Sequence, residues 1–380
     1  MQYTEYELGE LLPFEQPTAY IVKSTDYSDA YATPVLTAGK SFILGKTNET
    51  DGIFDQLPVI IFDDFTTATQ FVNFKFKVKS SAMKILHINT ALVMPKYIFY
   101  RLQIIQFDHS THKRYWIQSY SKIKVSIPSL DEQSRIVSRI DELFSELDKA
   151  VDTLNTTKEQ LAVYRQAVLK DAFSNIPREM YKPLKLVMEE MPQNGLYKSK
   201  SFYGEGNPIL RIDGFYDGEV VPNYEYKRVR LEAEEIKKYA LHIGDIVVNR
   251  VNSMSYLGKC ALIRNLEEPT IFESNVMRFR LDKQQIDLEY AMYYLSTSFG
   301  RHELIKNAKQ AVNQASINQT DVGNALIPIP KDLEAQRNIA QKISAHIAVC
   351  NNIEQGIDTA LAQADAMRQS ILKQAFEGKL

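Results

Sequence analysis

Across residues 131–173, apolar positions recur alternately four and three residues apart. One column is Ile140, Leu147, Leu154, Leu161 and Val168, and the other is Ile136, Leu143, Ala150, Thr157 and Tyr164. That alternation predicts a long helix with a heptad seam. Both columns return 203 residues later, as Ile343, Cys350, Ile357, Ala364 and Ile371 beside Ile339, His346, Ile353, Ala360 and Met367. Ser129 with Glu132 after Pro128 forms a capping-box pattern, and Asp332 is the equivalent cap in the second copy. Asn175 followed by Pro177 stops the first helix, and Gly378 ends the second. Each seam covers about five heptads, roughly 60 Å at 1.5 Å per residue. A lone helix of that length leaves an apolar stripe exposed, and two in one chain bury their stripes most simply on each other. The intervening segment must span the coil, which suits antiparallel pairing with two globular units at opposite ends of a rod, related by a pseudo-twofold. The alternative is two independent helices, each packed on its own domain.

The repeat reaches beyond the seams. RQAVLKDAF at 165–173 meets RQSILKQAF at 368–376, with six of nine positions identical, and Leu130, Gln133, Ile136 and Ile140 meet Leu333, Gln336, Ile339 and Ile343. At an offset of 193, Tyr97, Tyr100 and Leu102 meet Tyr290, Tyr293 and Leu295, and Leu8 aligns weakly with Leu184. The chain is two copies of one plan, a mixed α/β segment followed by a helix. The expected division is 1–128, 129–175, 176–330 and 331–380. Strands are expected at 58–62, 71–78, 244–249 and 275–281, and helices at 95–105 and 287–296.

Composition narrows the class. The 380 residues are 44% hydrophobic and 24% charged, ordinary for a globular protein. No run has the length of a membrane helix, and MQYTEYELGE lacks the pattern of a signal peptide. Two cysteines, Cys260 and Cys350, exclude a disulfide framework or a cysteine-based zinc site and fit a cytoplasmic location. The net charge of −2 means that any anion-binding surface must come from local clustering.

Catalytic and cofactor motifs do not survive inspection. GKS at 39–41 and GKT at 45–47 lack the earlier phosphate-loop glycine, their positions being Pro34 and Lys40, and both are expected to be turns. His109 and His112 sit beside Lys113 and Arg114, which disfavour a metal cation. Asp63 and Asp64 stand without a companion catalytic motif and are expected to cap or hydrogen-bond structurally. GEG at 204–206 lacks a third glycine.

What remains is basic and rich in amides. In FKFKVKSSAMK, strand alternation would set Lys75, Lys77 and Lys79 on one face, a row suited to a phosphate backbone, extended by Ser80, Ser81 and Lys84. Thr66 and Thr67 lie in the preceding turn, and Lys46 and Asn48 in another polar loop. The second copy offers Asn249, Arg250, Asn252, Ser253 and Lys259, with Arg211, Asn275, Asn313, Gln314, Ser316 and Asn318. Arg, Asn and Gln are the side chains able to bond base edges bidentately. The plain alternative for each is a solvated loop. Arg165, Lys170, Arg368 and Lys373 lie off the main columns, as docking residues or as a solvated helix face.

On PVIIFDDFTTATQFVNFKFKVKSSAMKIL, LHIGDIVVNRVNSMSYLGKCALI, the doubled IP–x–L–x–x–Q helix starts and LKQAFEGKL, the chain resembles the specificity subunit of type I restriction–modification systems along essentially its whole length. The resemblance implies two target-recognition domains, each reading half of a split DNA sequence, and two antiparallel helices that set the gap between halves. It implies a non-catalytic chain that docks two methyltransferase subunits and joins ATP-driven endonuclease subunits. S-adenosylmethionine and ATP with magnesium would lie on those partners and none in this chain. Divergence of the two units implies an asymmetric bipartite target. A specificity subunit of a fused restriction–methylation enzyme is a close alternative, and a protein-binding coiled-coil scaffold a distant one.

Overall fold

The computed structural model describes residues 3–37, 41–107, 114–312 and 314–380. The chain divides into two compact units, Met1–Asn155 with Asp358–Leu380, and Thr156–Ile357. Each unit therefore takes a part of both long helices, which run unbroken over Leu130–Ser174 and Leu333–Phe376. The expected caps are present. Ser129 Oγ accepts from the amide of Glu132 at 3.4 Å, and Asp332 Oδ1 from that of Glu334 at 2.9 Å. Gly378 turns out of the second helix at φ +70°.

The first unit holds a four-stranded antiparallel sheet ordered Phe14–Glu15, Met83–His87, Val59–Asp63, Thr69–Val72. Beside it lies a three-stranded sheet ordered Ile43–Thr47, Thr33–Leu36, Lys77–Val78, its last pair parallel. The second unit repeats both. Its four-stranded sheet is ordered Met188–Asn194, Val276–Leu281, Asp245–Asn249, Cys260–Leu262. Its three-stranded sheet is ordered Lys227–Val229, Tyr203–Leu210, Ile271–Phe272, again ending in a parallel pair. Even the weak alignment of Leu8 with Leu184 holds. Both are fully buried, and their amides donate to the equivalent carbonyls of Ile123 and Ala325.

In each unit a piece of the first long helix lies antiparallel to a piece of the second. Val137 and Ile140 share a core with Leu372 and Ala375, while Asp148, further along, pairs with Arg368. In the second unit Arg165 bonds Asn351 and Glu354 at 2.7 Å, while Leu169 and Phe173 share a core with Ala340 and Ile343. Of the expected seam, Ile140, Leu161, Ile343, Cys350, Ile357 and Ala364 are buried, and Leu147, Leu154, Val168 and Ile371 are half-buried. The second column differs from expectation, for Tyr164, Ile353 and Met367 are exposed. The buried face also steps from Leu161 to Leu169 and from Ala364 to Leu372, eight residues in place of seven. A helix of 3.6 residues per turn drifts about 20° per heptad, and that drift turns the outer ends of both helices toward the globular cores.

The repeated LK–x–AF endings are plugs. Phe173 packs edge-on against Tyr290 at 5.2 Å and Tyr294 at 5.3 Å, and Phe376 against Tyr97 at 5.2 Å. Those tyrosines lie on the short helices Leu288–Leu295 and Pro95–Leu102. Truncating a buried phenylalanine removes transfer free energy and leaves a cavity. Phe173→Ala is expected to cost about 3–5 kcal/mol in urea unfolding of the full chain, whereas truncating exposed Val163 (71% exposed) should cost little.

Candidate nucleic-acid interface

In the first unit the lysine row is not one strand. Residues 71–78 break after Val72, and Phe76 leaves the four-stranded sheet to bridge Phe54, with their rings stacked at 5.0 Å. The chain then joins the other sheet at Lys77–Val78. This places Lys77 inside, where its Nζ donates to the Asp51 carbonyl at 2.6 Å and pairs with Glu49 at 3.0 Å. Lys84 is likewise buried, 3.2 Å from Asp64. Neither ammonium reaches solvent, so neither can follow a phosphate backbone. Lys75 and Lys79 are exposed, Lys75 lying 3.5 Å from Asp55 and Lys79 over the ring of Tyr27 at 5.8 Å. Ser80 and Ser81 are exposed beside them, Lys46 is half-buried, and Asn48 is exposed. GKT, expected as a turn, lies in the strand Ile43–Thr47, while Gly39, Lys40, His109, His112 and Lys113 fall outside the described residues.

The aspartate pair is structural, as expected. The Asp63 carboxylate accepts the amides of Phe65 at 2.8 Å and Thr66 at 3.2 Å, shaping the turn that presents Thr66 and Thr67. Asp64 accepts the Trp116 amide at 2.9 Å.

In the second unit two polar stretches meet. Val251–Asn252 pairs with Ala315–Ser316, which pairs in turn with Lys309–Gln310. Arg250 opens this small sheet. It is half-buried, its guanidinium donates to the Ser274 carbonyl at 2.8 Å, and its Nε is buried without a hydrogen-bond partner. Burial pushes its pKa below the ordinary arginine value. Arg211 differs, since burial lowers it but Glu273, at 3.0 Å, outweighs burial and raises it. Lys259 Nζ sits over the rings of Tyr216 and Tyr256 at 5.1 and 5.0 Å, with Asp217 at 3.9 Å. Asn252 and Asn275 are half-buried, Ser253 and Gln314 exposed, and Ser316 half-buried.

Two amides serve the fold. Asn249 is fully buried, its Nδ2 directed at the Ile212 carbonyl. Asn318 caps the helix Gln319–Asn324, accepting the amides of Thr320 and Asp321, so its acceptor is committed within the chain. Asn313 lies outside the described residues. Tyr216 and Tyr256, beside the half-buried Lys259, and Tyr27, beside the exposed Lys79, carry no sequence signal of that role on their own. The turn YDG at 216–218, with Asp217 at φ +50° and Gly218 at φ +93°, was a readable signal for an aromatic held on a tight turn.

The helix candidates divide similarly. Arg165 and Arg368 are drawn into ion pairs with the facing helix, at Glu354 and Asp148, and Arg368 also covers Phe144 at 5.0 Å. Lys170 and Lys373 remain exposed.

Among the described residues there is no cluster able to hold a metal ion, and no helix is long and apolar enough to cross a membrane. The family model for the type I restriction modification DNA specificity domain matches residues 2–161 and 187–363. The chain belongs to the type I specificity subunits. It is 31% identical over 373 residues to the Escherichia coli EcoR124I/EcoR124II specificity subunit, covering 92% of this chain and 88% of that one. The EcoKI specificity subunit of Escherichia coli K12 is 27% identical over 275 residues, covering 69% of this chain and 59% of that one. A chain solved in work on complex assembly and conformational transition of the type I R-M system has the same fold, with a TM-score of 0.68 at 18% identity, covering 100% of this chain and 98% of that one. Specificity subunits are non-catalytic, and the reading of this chain as no enzyme rests on that membership.

For this specificity subunit, buried and exposed lysines should separate cleanly on substitution. Lys84→Ala strands the Asp64 carboxylate and is expected to destabilise the chain by about 3–5 kcal/mol in urea unfolding. Lys79→Ala is expected to leave the unfolding midpoint nearly unchanged. In the complex with methyltransferase it should reduce the salt dependence of DNA binding by about one unit of log–log slope.

Proposed function

We propose that this specificity subunit reads a bipartite, asymmetric DNA sequence, one half through each unit, and presents it to methyltransferase and endonuclease subunits. The observation that carries the asymmetry is a pair of charge inversions on one shared frame. Asp64 and Arg250 each follow the central sheet strand. Each donates its amide to a carbonyl in the segment before the next strand, Ala82 at 3.4 Å and Asn275 at 2.9 Å. Each accepts an amide from a later segment, Tyr115 at 3.0 Å and Ile317 at 2.9 Å. Lys79 and Glu273 each follow the parallel strand and donate to Leu36 and Leu210 at 2.8 and 3.0 Å. At equivalent places one unit thus carries Asp and Lys where the other carries Arg and Glu. Asp64 and Glu273 are buried against Lys84 and Arg211, so the exposed Lys79 and the half-buried Arg250 have no cationic counterpart at the matching place. Two readers with cations at different places favour different base sequences.

The recognition domains are residues 1–128 and 176–330. The DNA-facing residues are Lys46, Asn48, Thr66, Thr67, Lys75, Lys79, Ser80 and Ser81 in the first, and Arg211, Arg250, Asn252, Ser253, Lys259, Asn275, Gln314 and Ser316 in the second. Two methyltransferase copies dock along the helices, with Lys170, Lys373 and the outward Val163 and Val349 offering contact. S-adenosylmethionine and ATP with magnesium belong to the partner subunits, and the assembly works in the cytoplasm. Methylation requires the target base to be flipped into a partner's pocket.

Methylome sequencing of a host given this chain with its methyltransferase tests the reading. One gapped motif with two different halves is expected. A continuous motif, a palindromic one, or no new methylation would contradict it. With the reconstituted complex, Arg250→Ala is expected to relax base preference in one half only and to weaken binding there by about 1–3 kcal/mol, measured by competition among single-base variants. Binding insensitive to salt would instead favour a protein scaffold.

A further inference from the structure

Gln133 and Gln336 stand on the first turns of the two long helices, and both are completely buried. Gln133 Oε1 accepts the amide of Met94 at 2.7 Å, the residue preceding the helix Pro95–Leu102. Its Nε2 donates to the carbonyls of Leu92 at 3.1 Å and Pro128 at 2.9 Å. Gln336 repeats the arrangement. Its Oε1 accepts the amide of Asp287 at 2.8 Å, which precedes the helix Leu288–Leu295. Its Nε2 donates to Gln285 at 3.3 Å and Pro330 at 2.8 Å. One carboxamide therefore joins three chain segments in each unit: the strand end before the long helix, the long helix itself, and the cap of the short helix that bears the plugged tyrosine.

The chemistry admits few substitutes. Both N–H groups and an oxygen lone pair are used at once. Glutamate keeps the acceptor but loses both donors, and leucine keeps the volume but leaves a backbone amide and two carbonyls without their bonds. The short helix is thereby held from two sides, by the glutamine at its N-terminus and by Phe376 or Phe173 on its tyrosines. Apolar packing fixes distance but tolerates rolling, whereas three directed hydrogen bonds fix angle.

We propose that Gln133 and Gln336 are positioning residues that set the angle at which each recognition unit is carried on the helices, and so the strictness with which the complex selects the gap between half-sites. This rests on the reading of the chain as a bipartite DNA reader. A misplacement of about 1 Å can cost up to about a hundredfold in rate, so a fixed angle becomes gap discrimination.

The test uses the complex with methyltransferase and a set of duplexes carrying the cognate halves at the preferred gap and at one base pair more or less. Wild type should methylate the preferred gap far faster. Gln133→Leu and Gln336→Leu are each expected to lower the ratio of preferred to altered gap by about tenfold, with base preference within each half unchanged. Gln133→Asn, which keeps both donors and the acceptor on a shorter side chain, should fall between and serves if the leucine variants do not fold. Reduced thermal stability with an undiminished gap ratio would overturn the proposal and leave the glutamines a merely structural role. If wild type itself shows no bipartite preference, the reading beneath the proposal fails, and the proposal with it.

Discussion

A 45-residue helix with an apolar column along one side must have that column covered, and this chain supplies the cover by writing the helix twice. The rest of the structure follows from that pairing. Because the pieces run antiparallel within each unit, the start of one helix and the end of the other come to the same recognition fold. The drift of a 3.6-residue helix against a seven-residue repeat turns Leu169, Phe173, Leu372 and Phe376 out of the seam and into the globular cores. The sequence repeats at those places because the packing problem occurs twice. Arg165 with Asn351 and Arg368 with Asp148 are the same cross-helix contact, since all four positions obey the 203-residue offset.

Symmetry of frame and asymmetry of surface are separable in this molecule. Positions that meet the helices repeat nearly residue for residue, as in Gln133 and Gln336 or Tyr97 and Tyr290. Other positions keep only their backbone roles. Asp64 and Arg250 make equivalent main-chain hydrogen bonds, each within its own unit, while one carries a buried carboxylate and the other a half-buried guanidinium. Backbone bonds place a residue without dictating its side chain, so recognition can diverge while the frame stays fixed.

Much of the frame was legible in the sequence, because heptads, caps and repeats are local or periodic signals. Val59–Asp63, Asp245–Asn249 and the two long helices appear where the pattern put them. The interface was less legible. Alternation of Phe and Lys at 74–79 reads as one strand, yet the chain there crosses between sheets. The partners that bury Lys77 and Lys84 are Glu49, Asp51 and Asp64, 20 or more residues away. Of the tyrosines beside Lys259, Tyr256 is three residues away in the same turn, while Tyr216 comes from the strand Phe215–Tyr216, more than 40 residues earlier. The second apolar column looked as strong as the first, but pairing two helices covers one face of each, and Tyr164, Ile353 and Met367 were left outside.

The proposed role of the paired helices, setting the gap between half-sites, is tested most directly by shortening both together. Removing residues 149–155 and the facing 361–367 takes one heptad from each helix and keeps the remaining columns in register. The loss is about 10 Å of helix at 1.5 Å per residue, or about three base pairs at 3.4 Å each. Selection of bound duplexes from a random-spacer library should return the same two half-sites with a gap shorter by about three base pairs. Recovery of the original gap would contradict the account.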